Sequence, residues 1–283
     1  RHLLLTNLEF DHADIYPDLA SIQRQFHHLV RTVPASGCIA WNAGDAALKA
    51  TLAMGSWTPL VGYAREQAAE WRARLAAPDG SAFEVRHGDA PVGIVRWPLI
   101  GVHNVENGLS AVVSAAGMGV PPGQACEALG RFAGVKRRLE VVGEANGITV
   151  YDDFAHHPTA VDETLRAVRH AAPGRRVWAI FEPRSASSCR RVFQDDFARA
   201  FAGADEVVLA PVFRSSLPPE ERLSESQLVD DLMRRNVAAR HLPTVDAIVE
   251  AVAGEVRKGD VIVVMSNGGF GGIHRKLLDA LHK

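Results

Sequence analysis

The densest chemistry in this sequence lies at Asp152-Asp153-Phe154-Ala155-His156-His157-Pro158, where carboxylates and imidazoles stand three or four residues apart. Such a group could bind a metal ion or hold the hydroxyls of a ribose. It also suits a helix start, with Pro158 at the first helical position and a polar residue before it as the cap. The two readings are compatible. A second stretch, Asn7-Leu8-Glu9-Phe10-Asp11-His12-Ala13-Asp14, brings hard oxygen donors to the end of an apolar run. It fits Mg²⁺, which takes one or two carboxylates plus phosphates, or a polar loop in which Asp14 caps the next helix. His103-Asn104-Val105-Glu106-Asn107 offers carboxamides that can pair with an adenine edge, against plain capping by Asn104. Lys136-Arg137-Arg138 could clamp a transferring phosphoryl group or form a solvated charge run.

Two further stretches complete the set. Glu182-Pro183-Arg184-Ser185 carries one acid and one guanidinium, and Ser266-Asn267-Gly268-Gly269-Phe270-Gly271-Gly272 is a glycine run between a strand and a helix. The glycine run can cradle an anion on backbone N–H groups. It is not a dinucleotide fingerprint, because G-x-G-x-x-G would require glycine where His274 stands. That counts against an NAD-dependent oxidoreductase. His27 and His28 flank an apolar stripe and read as surface histidines.

These residues must be held by elements the pattern also predicts. Ile15, Leu19, Ile22, Phe26, Leu29 and Val33 recur at helical spacing. Strands are expected at His2–Leu5, Cys38–Trp41, Phe83–Arg86 and Val92–Trp97, with helices from Asn104 to about Ala116 and from Pro122 to Phe132. From Gly147 onward, apolar runs at Ile148–Asp152, Val177–Glu182, Glu206–Pro211, Arg240–Leu242 and Val261–Ser266 alternate with helical segments. That alternation means crossover units and a parallel, doubly wound α/β sheet, whose ligands sit beyond the carboxyl ends of its strands. Asp152 to His157, Glu182 to Ser185 and Ser266 to Gly272 all fall at such ends. A domain junction is expected near Val135–Arg138, giving domains 1–136 and 137–283.

The bulk numbers narrow the function class. A chain of 283 residues that is 47% hydrophobic and 23% charged can bury an ordinary core. A net charge of −2 leaves no electrostatic footprint for nucleic acid. No apolar run reaches membrane-spanning length. Cys38, Cys126 and Cys189 are few and far apart, which fits a reducing cytosol rather than a disulfide framework. The oligomeric state is not legible. Because the sequence opens with Arg1 inside a strand pattern, it reads as part of a longer protein.

In their order along the chain, T-N-L-E-F-D-H-A-D, G-V-H-N-V-E-N, K-R-R-L-E and Y-D-D-F-A-H-H-P-T resemble the Mur ligase family, which builds the peptide stem of the bacterial cell wall. F-H-H-L-V-R, F-E-P-R-S and M-S-N-G-G-F-G-G-I-H look most like the branch that joins a ready-made tripeptide. The resemblance implies a partial central ATPase domain followed by a Rossmann-like C-terminal ligase domain. It implies ATP and Mg²⁺ as cofactors. It implies a cytoplasmic bacterial reaction in which UDP-N-acetylmuramate is activated as an acyl phosphate and joined to L-alanyl-γ-D-glutamyl-meso-diaminopimelate. Glu9 is then the Mg²⁺ ligand, and His103, Asn104 and Asn107 face the adenine, with Asn107 as edge reader. Arg138 approaches the phosphates and Asp153 the ribose. His156, Arg184, Ser266, Asn267, Gly268 and Gly269 line the incoming-amine side. Closure of one domain on the other would assemble the site.

The family's phosphate loop, G-x-x-G-K-[ST], is absent from these residues, so this stretch alone is expected not to turn over ATP. Arg31 stands where the alanine-adding sister branch has a second metal-site histidine, which leaves His27 or His28 as substitutes or that site altered. The sister UDP-N-acetylmuramate–L-alanine ligase and a non-catalytic nucleotide- or peptide-binding module remain the alternatives.

Overall fold

A computed structural model describes residues 1–213 and 216–282. They form two compact units, Arg1–Gly134 and Val135–Lys283. The first is built from β1 (His2–Leu5), α1 (Leu19–Val30), β2 (Cys38–Asn42), α2 (Ala46–Ala53), β3 (Leu60–Ala64), β4 (Trp71–Leu75), β5 (Ala82–His87), β6 (Ala90–Arg96), α3 (Val102–Gly117) and α4 (Pro122–Gly130). Its six strands lie in sequence order. β1 to β4 are parallel, and β4, β5 and β6 pair antiparallel.

α3 lays Val105, Leu109, Val112 and Val113 on Phe83, Val85, Val95 and Trp97. The helix can lie this close because residue 108 is glycine. A Cβ there would stand 2.7 Å from the Trp97 Cη2 and 2.9 Å from the Phe83 Cζ. Leu5, Ile22, Val30, Ile39, Leu48 and Leu52 form a second core where α1 and α2 cover β1 and β2.

The second unit holds β7 (Glu140–Ala145), β8 (Ile148–Asp153), α5 (Pro158–Ala171), β9 (Val177–Phe181), α6 (Gln194–Ala200), β10 (Glu206–Leu209), α7 (Glu225–Arg234), β11 (Ala238–His241), α8 (Val245–Glu255), β12 (Val261–Met265) and α9 (Ile273–Leu281). The strand order is β11-β10-β9-β12-β8-β7, parallel except for β7. β9 is buried at every residue, as is β12. Continuous burial follows from cover on both faces. Val150, Ile180, Ile262 and Val264 meet α8 and α9 on one side, while Phe181 packs against Phe197 and, edge-on, Phe201 on the other.

Several expectations are corrected. α1 starts at Leu19 on an Asp18 cap whose carboxylate accepts the Ser21 N–H, so Asp14 caps nothing and Ile15 stands 66% exposed outside the helix. Val33 is buried but follows the helix. α3 begins at Val102, two residues before its expected start, on Gly101 at φ 97°, so Asn104 is an interior residue that donates to the Ile100 carbonyl rather than an N-cap. α2, β3, β4 and β7 were not legible. β7 is an antiparallel edge strand whose Glu140 and Val141 are exposed, and it lacks a clean alternation. Among the described residues no helix is long and apolar enough to cross a membrane. The three cysteines are free thiols.

Gly108→Ala is expected to destabilise the first unit. The methyl group gains about 1 kcal/mol of helix propensity but forces two aromatic rings apart, and overpacking of this kind costs about 1–3 kcal/mol. A urea unfolding midpoint equal to or above the parent's would contradict this packing.

Candidate functional site

β8, β12 and β9 are adjacent and in register at their carboxyl ends, where Asp153, Met265 and Phe181 stand side by side. The chain just beyond each strand end carries His156, Ser266 to Gly272, and Glu182 to Arg184. The expected residues of the second unit therefore share one edge, with the glycine loop between the other two segments.

β8 ends on two acids, and strand alternation sends them to opposite faces. Asp153 points toward α5. Its Oδ1 accepts from Ala155 N at 2.8 Å and from Thr164 Oγ1 at 3.2 Å, and its Oδ2 accepts from Leu139 N at 2.7 Å. It is 4% exposed. Burial pushes its carboxyl above the usual carboxylate range, although these donors and Arg138 oppose the shift. Asp153, which the family resemblance assigns to the ribose, also fixes the turn that carries Arg138 through Leu139. Arg138 itself is exposed, with its guanidinium 5.6 Å from the Phe154 ring centre.

Asp152 points toward α9. Its Oδ2 accepts from Arg137 Nε at 3.1 Å, and its Oδ1 pairs with His274 Nε2 at 3.2 Å. Burial alone would raise this carboxyl, but His274 and Arg137 outweigh it and hold it below the ordinary range. The basic run 136–138 is thus split. Lys136 and Arg138 are exposed, while Arg137 turns inward and also donates to the Ser266 and Gly268 carbonyls at 2.6 and 2.8 Å.

His157 caps α5, accepting the Thr159 N–H at 3.4 Å, so the helix-start reading holds. His156 Nδ1 lies 2.8 Å from the Phe154 carbonyl and donates to it, which leaves Nε2 for other partners. Glu182 is 8% exposed; it receives the Ser266 hydroxyl at 2.5 Å and faces the Arg184 guanidinium at 3.5 Å. Arg184 stacks over Phe213 with its guanidinium carbon 3.7 Å from the ring centre. Gly268 makes room for that side chain, since a Cβ there would overlap Arg184 Nε and Cδ. The Gly268 N–H is spent on Ser266 Oγ at 2.9 Å, and the Gly272 N–H on the Gly269 carbonyl at 3.0 Å, so these two amides are not open to an anion. The Asn267 Oδ1 is buried without a hydrogen-bond partner among the described residues.

In the first unit, Glu9 is half-buried in the loop after β1, and Asn7 Nδ2 donates to it at 3.4 Å. That loop is anchored by Asp45, which accepts from Leu8 N at 2.7 Å and caps α2 through Leu48 N at 2.8 Å. His103, Asn104 and Asn107 sit in the first turns of α3, and of the three only Asn107 is exposed. Tyr63 ties the end of β1 to α3. Its hydroxyl donates to the Leu5 carbonyl at 3.2 Å, and burial pushes its pKa up while a hydrogen bond with Ser110 opposes the rise. His27 is spent on the Gly55 carbonyl at 3.1 Å, whereas His28 and Arg31 are exposed.

No group of three or more histidine, cysteine or acidic side chains among the described residues could cage a metal. A carboxylate such as that of Glu9 suits Mg²⁺ held mainly by phosphates and water. Sequence reasoning gave Arg137, Asp152 and His274 no separate tasks. The two consecutive acids ending a strand were the available signal, since alternation forces them apart.

The Mur ligase middle domain matches residues 2–115, and the Mur ligase glutamate ligase domain matches residues 137–268. The UDP-N-acetylmuramate–L-alanyl-γ-D-glutamyl-meso-2,6-diaminoheptandioate ligase of Escherichia coli (strain K12) is 46% identical over 286 residues, covering 100% of this chain and 60% of that protein. The UDP-N-acetylmuramate–L-alanine ligase of Desulfitobacterium hafniense is 31% identical, covering 94% of this chain and 59% of that protein. The crystal structure of a murein peptide ligase from Psychrobacter arcticus superposes with a TM-score of 0.72 at 39% identity, covering 100% of this chain and 57% of that one. The chain spans about 60% of the length of the relatives it matches.

The two neighbouring acids respond to pH in opposite directions. The depressed carboxyl of Asp152 contributes stability that is present above its unfolded value, near pH 4, and is lost as pH falls through its folded value. The raised carboxyl of Asp153 favours the folded state more once it is protonated, so its ionised form costs stability as pH rises. Asp152→Asn is expected to flatten the fall in stability below roughly pH 4. Asp153→Asn is expected to cost about 1–3 kcal/mol at pH 7, because its amide N–H would face the Leu139 or Ala155 donor. Urea unfolding across a pH series checks both; an unchanged acid limb in Asp152→Asn would rule out the ion pairs as its source.

Proposed function

This chain belongs to the Mur ligase family, and from that premise we propose that it is the ATP-binding and amine-binding part of an enzyme that joins L-alanyl-γ-D-glutamyl-meso-diaminopimelate to UDP-N-acetylmuramate in the bacterial cytoplasm. The observation that carries the choice of tripeptide over single alanine is the difference in identity. It is 46% to a ligase named for the tripeptide and 31% to one named for alanine, each over nearly the whole chain.

In this reading the lactyl carboxylate of the muramate is activated as an acyl phosphate, and the peptide amine displaces phosphate. ATP supplies the phosphoryl group, and Mg²⁺ neutralises charge on it. Glu9 would hold the cation beside the phosphates. The exposed carboxamide of Asn107 would pair with the adenine edge, with His103 and Asn104 shaping the helix start beneath it. Arg138, presented by the turn that Asp153 fixes, would lean its positive charge toward the transferring phosphoryl group.

The amine side would lie along the second-unit edge. Arg184 offers a planar fork to a peptide carboxylate. Glu182 and Phe213 hold that fork in place. The unpartnered Asn267 Oδ1 suits a peptide N–H, and the His156 Nε2 suits the attacking amine. Ser266, Gly268 and Gly269 form the wall between them.

Kinetics on the full-length enzyme test this division. Arg184→Ala is expected to raise the KM for the tripeptide severalfold or more while leaving that for ATP nearly unchanged. Lysine should restore it only in part, because it lacks the fork. Asn107→Ala is expected to weaken ATP more than GTP by about 1–3 kcal/mol. Loss of ATP affinity with intact tripeptide affinity in Arg184→Ala would reverse the assignment of the two ligands.

A further inference from the structure

Arg137, Asp152 and His274 are polar, largely withdrawn from solvent and unused by the chemistry above. Their connections run to one place, the loop from Ser266 to Gly272. The two oxygens of Asp152 face different partners, Arg137 at 3.1 Å and His274 at 3.2 Å. Arg137 reaches on to the carbonyls of Ser266 and Gly268 at the entrance of the loop. His274 belongs to the first turn of α9, two residues past the loop's exit. We propose that Asp152, acting through Arg137 and His274, is the positioning unit that sets the conformation of the Ser266–Gly272 loop and thereby the place of Arg184. The consequence for substrate rests on the reading of this edge as the amine side.

The loop needs such a hold. Phe270, Gly271 and Gly272 are successive left-handed residues, at φ 41°, 56° and 71°. Glycine adopts that conformation freely, but a phenylalanine there is strained and persists only where its surroundings over-determine it. Part of the hold is the burial of the Phe270 ring, which is 1% exposed. The rest is the bracket on either side. Entrance and exit are tied to the same carboxylate, which is held because it ends a strand paired on both sides, by β12 and β7.

Arg137 is oriented before it reaches the loop. Its own backbone is left-handed at φ 61°, its N–H donates to Glu140 Oε2 at 2.8 Å, and its carbonyl accepts from Phe154 N at 2.9 Å. Its guanidinium rests 5.2 Å from the Phe154 ring centre. One fork therefore joins a carboxylate and two carbonyls, a geometry that a single ammonium does not reproduce. Because Gly268 lies directly against Arg184, a loop that shifts carries the Arg184 side chain with it.

The test pairs a ligand-free readout with a kinetic one in the full-length enzyme. Amide hydrogen exchange over residues 266–272 is followed in His274→Ala, His274→Gln and Asp152→Asn. Loss of the His274 contact or of the Asp152 charge should accelerate loop exchange by roughly tenfold or more in His274→Ala and Asp152→Asn. Exchange in the β9 and β12 strands should stay at parent level, which separates loop release from unfolding. His274→Gln keeps a donor toward Asp152 and should restore most of the protection. In the same variants the KM for L-alanyl-γ-D-glutamyl-meso-diaminopimelate should rise by roughly tenfold, with the KM for ATP little changed. Parent-level loop exchange in His274→Ala and Asp152→Asn would overturn the proposal. Faster loop exchange with unaltered tripeptide kinetics would uphold the positioning unit and overturn the assignment of this edge to the peptide.

Discussion

An ionised carboxylate at the end of a buried strand must find donors, because desolvation without them costs several kcal/mol. β8 ends with two such groups in succession, and the second unit is organised around satisfying them. Alternation sends Asp153 toward α5, where backbone N–H groups of Leu139 and Ala155 and the Thr164 hydroxyl meet it. Asp152 goes to the other face, to Arg137 and His274. The segment entering the unit, the loop after β12 and the first turn of α9 are all held by these two side chains. The opposite pKa directions of the neighbours follow from their settings: deep burial dominates at Asp153, while His274 and Arg137 outweigh burial at Asp152.

The opposite edge of the same sheet is closed by polar groups that satisfy one another. Arg175 donates to the Gly259 and Asp260 carbonyls, Arg176 pairs with Glu206, and the Trp178 indole donates to Asp260. These are pairings between protein groups. At the carboxyl edge, by contrast, Arg184, Asn267 and His156 retain exposed or unpartnered polar atoms. That asymmetry is what an open α/β sheet with a ligand at its carboxyl ends requires.

The first unit applies the same economy with fewer charges. Asp45 both caps α2 and anchors the loop that carries Glu9, so one carboxylate fixes a helix start and a candidate metal ligand together. Tyr63 joins the end of β1 to α3, the helix that bears Asn107. The close seat of α3, which Gly108 permits, sets where that helix start stands relative to the sheet.

The sequence by itself determined the α/β class, the parallel crossover pattern after Gly147 and the family, because strand-and-helix periodicity and the order of short motifs are local properties. It also located the polar strand ends, and His157 as the cap of α5 is the kind of short-range bond that residue order dictates. It did not reveal β3, β4 and α2, nor β7, whose exposed edge position blurs the alternation. It misplaced the starts of α1 and α3, where a cap four residues away or a left-handed glycine competes with the apolar repeat. Only the tertiary structure decided that β12, last in the chain, inserts between β8 and β9 and so brings the glycine loop between Asp152 and Arg184. Only it separated Arg137 from Lys136 and Arg138, turning one inward and leaving two in solvent. Both outcomes depend on partners more than a hundred residues away, such as the Ser266 carbonyl for Arg137, and a bond over that distance is set by packing of the whole unit rather than by any local pattern.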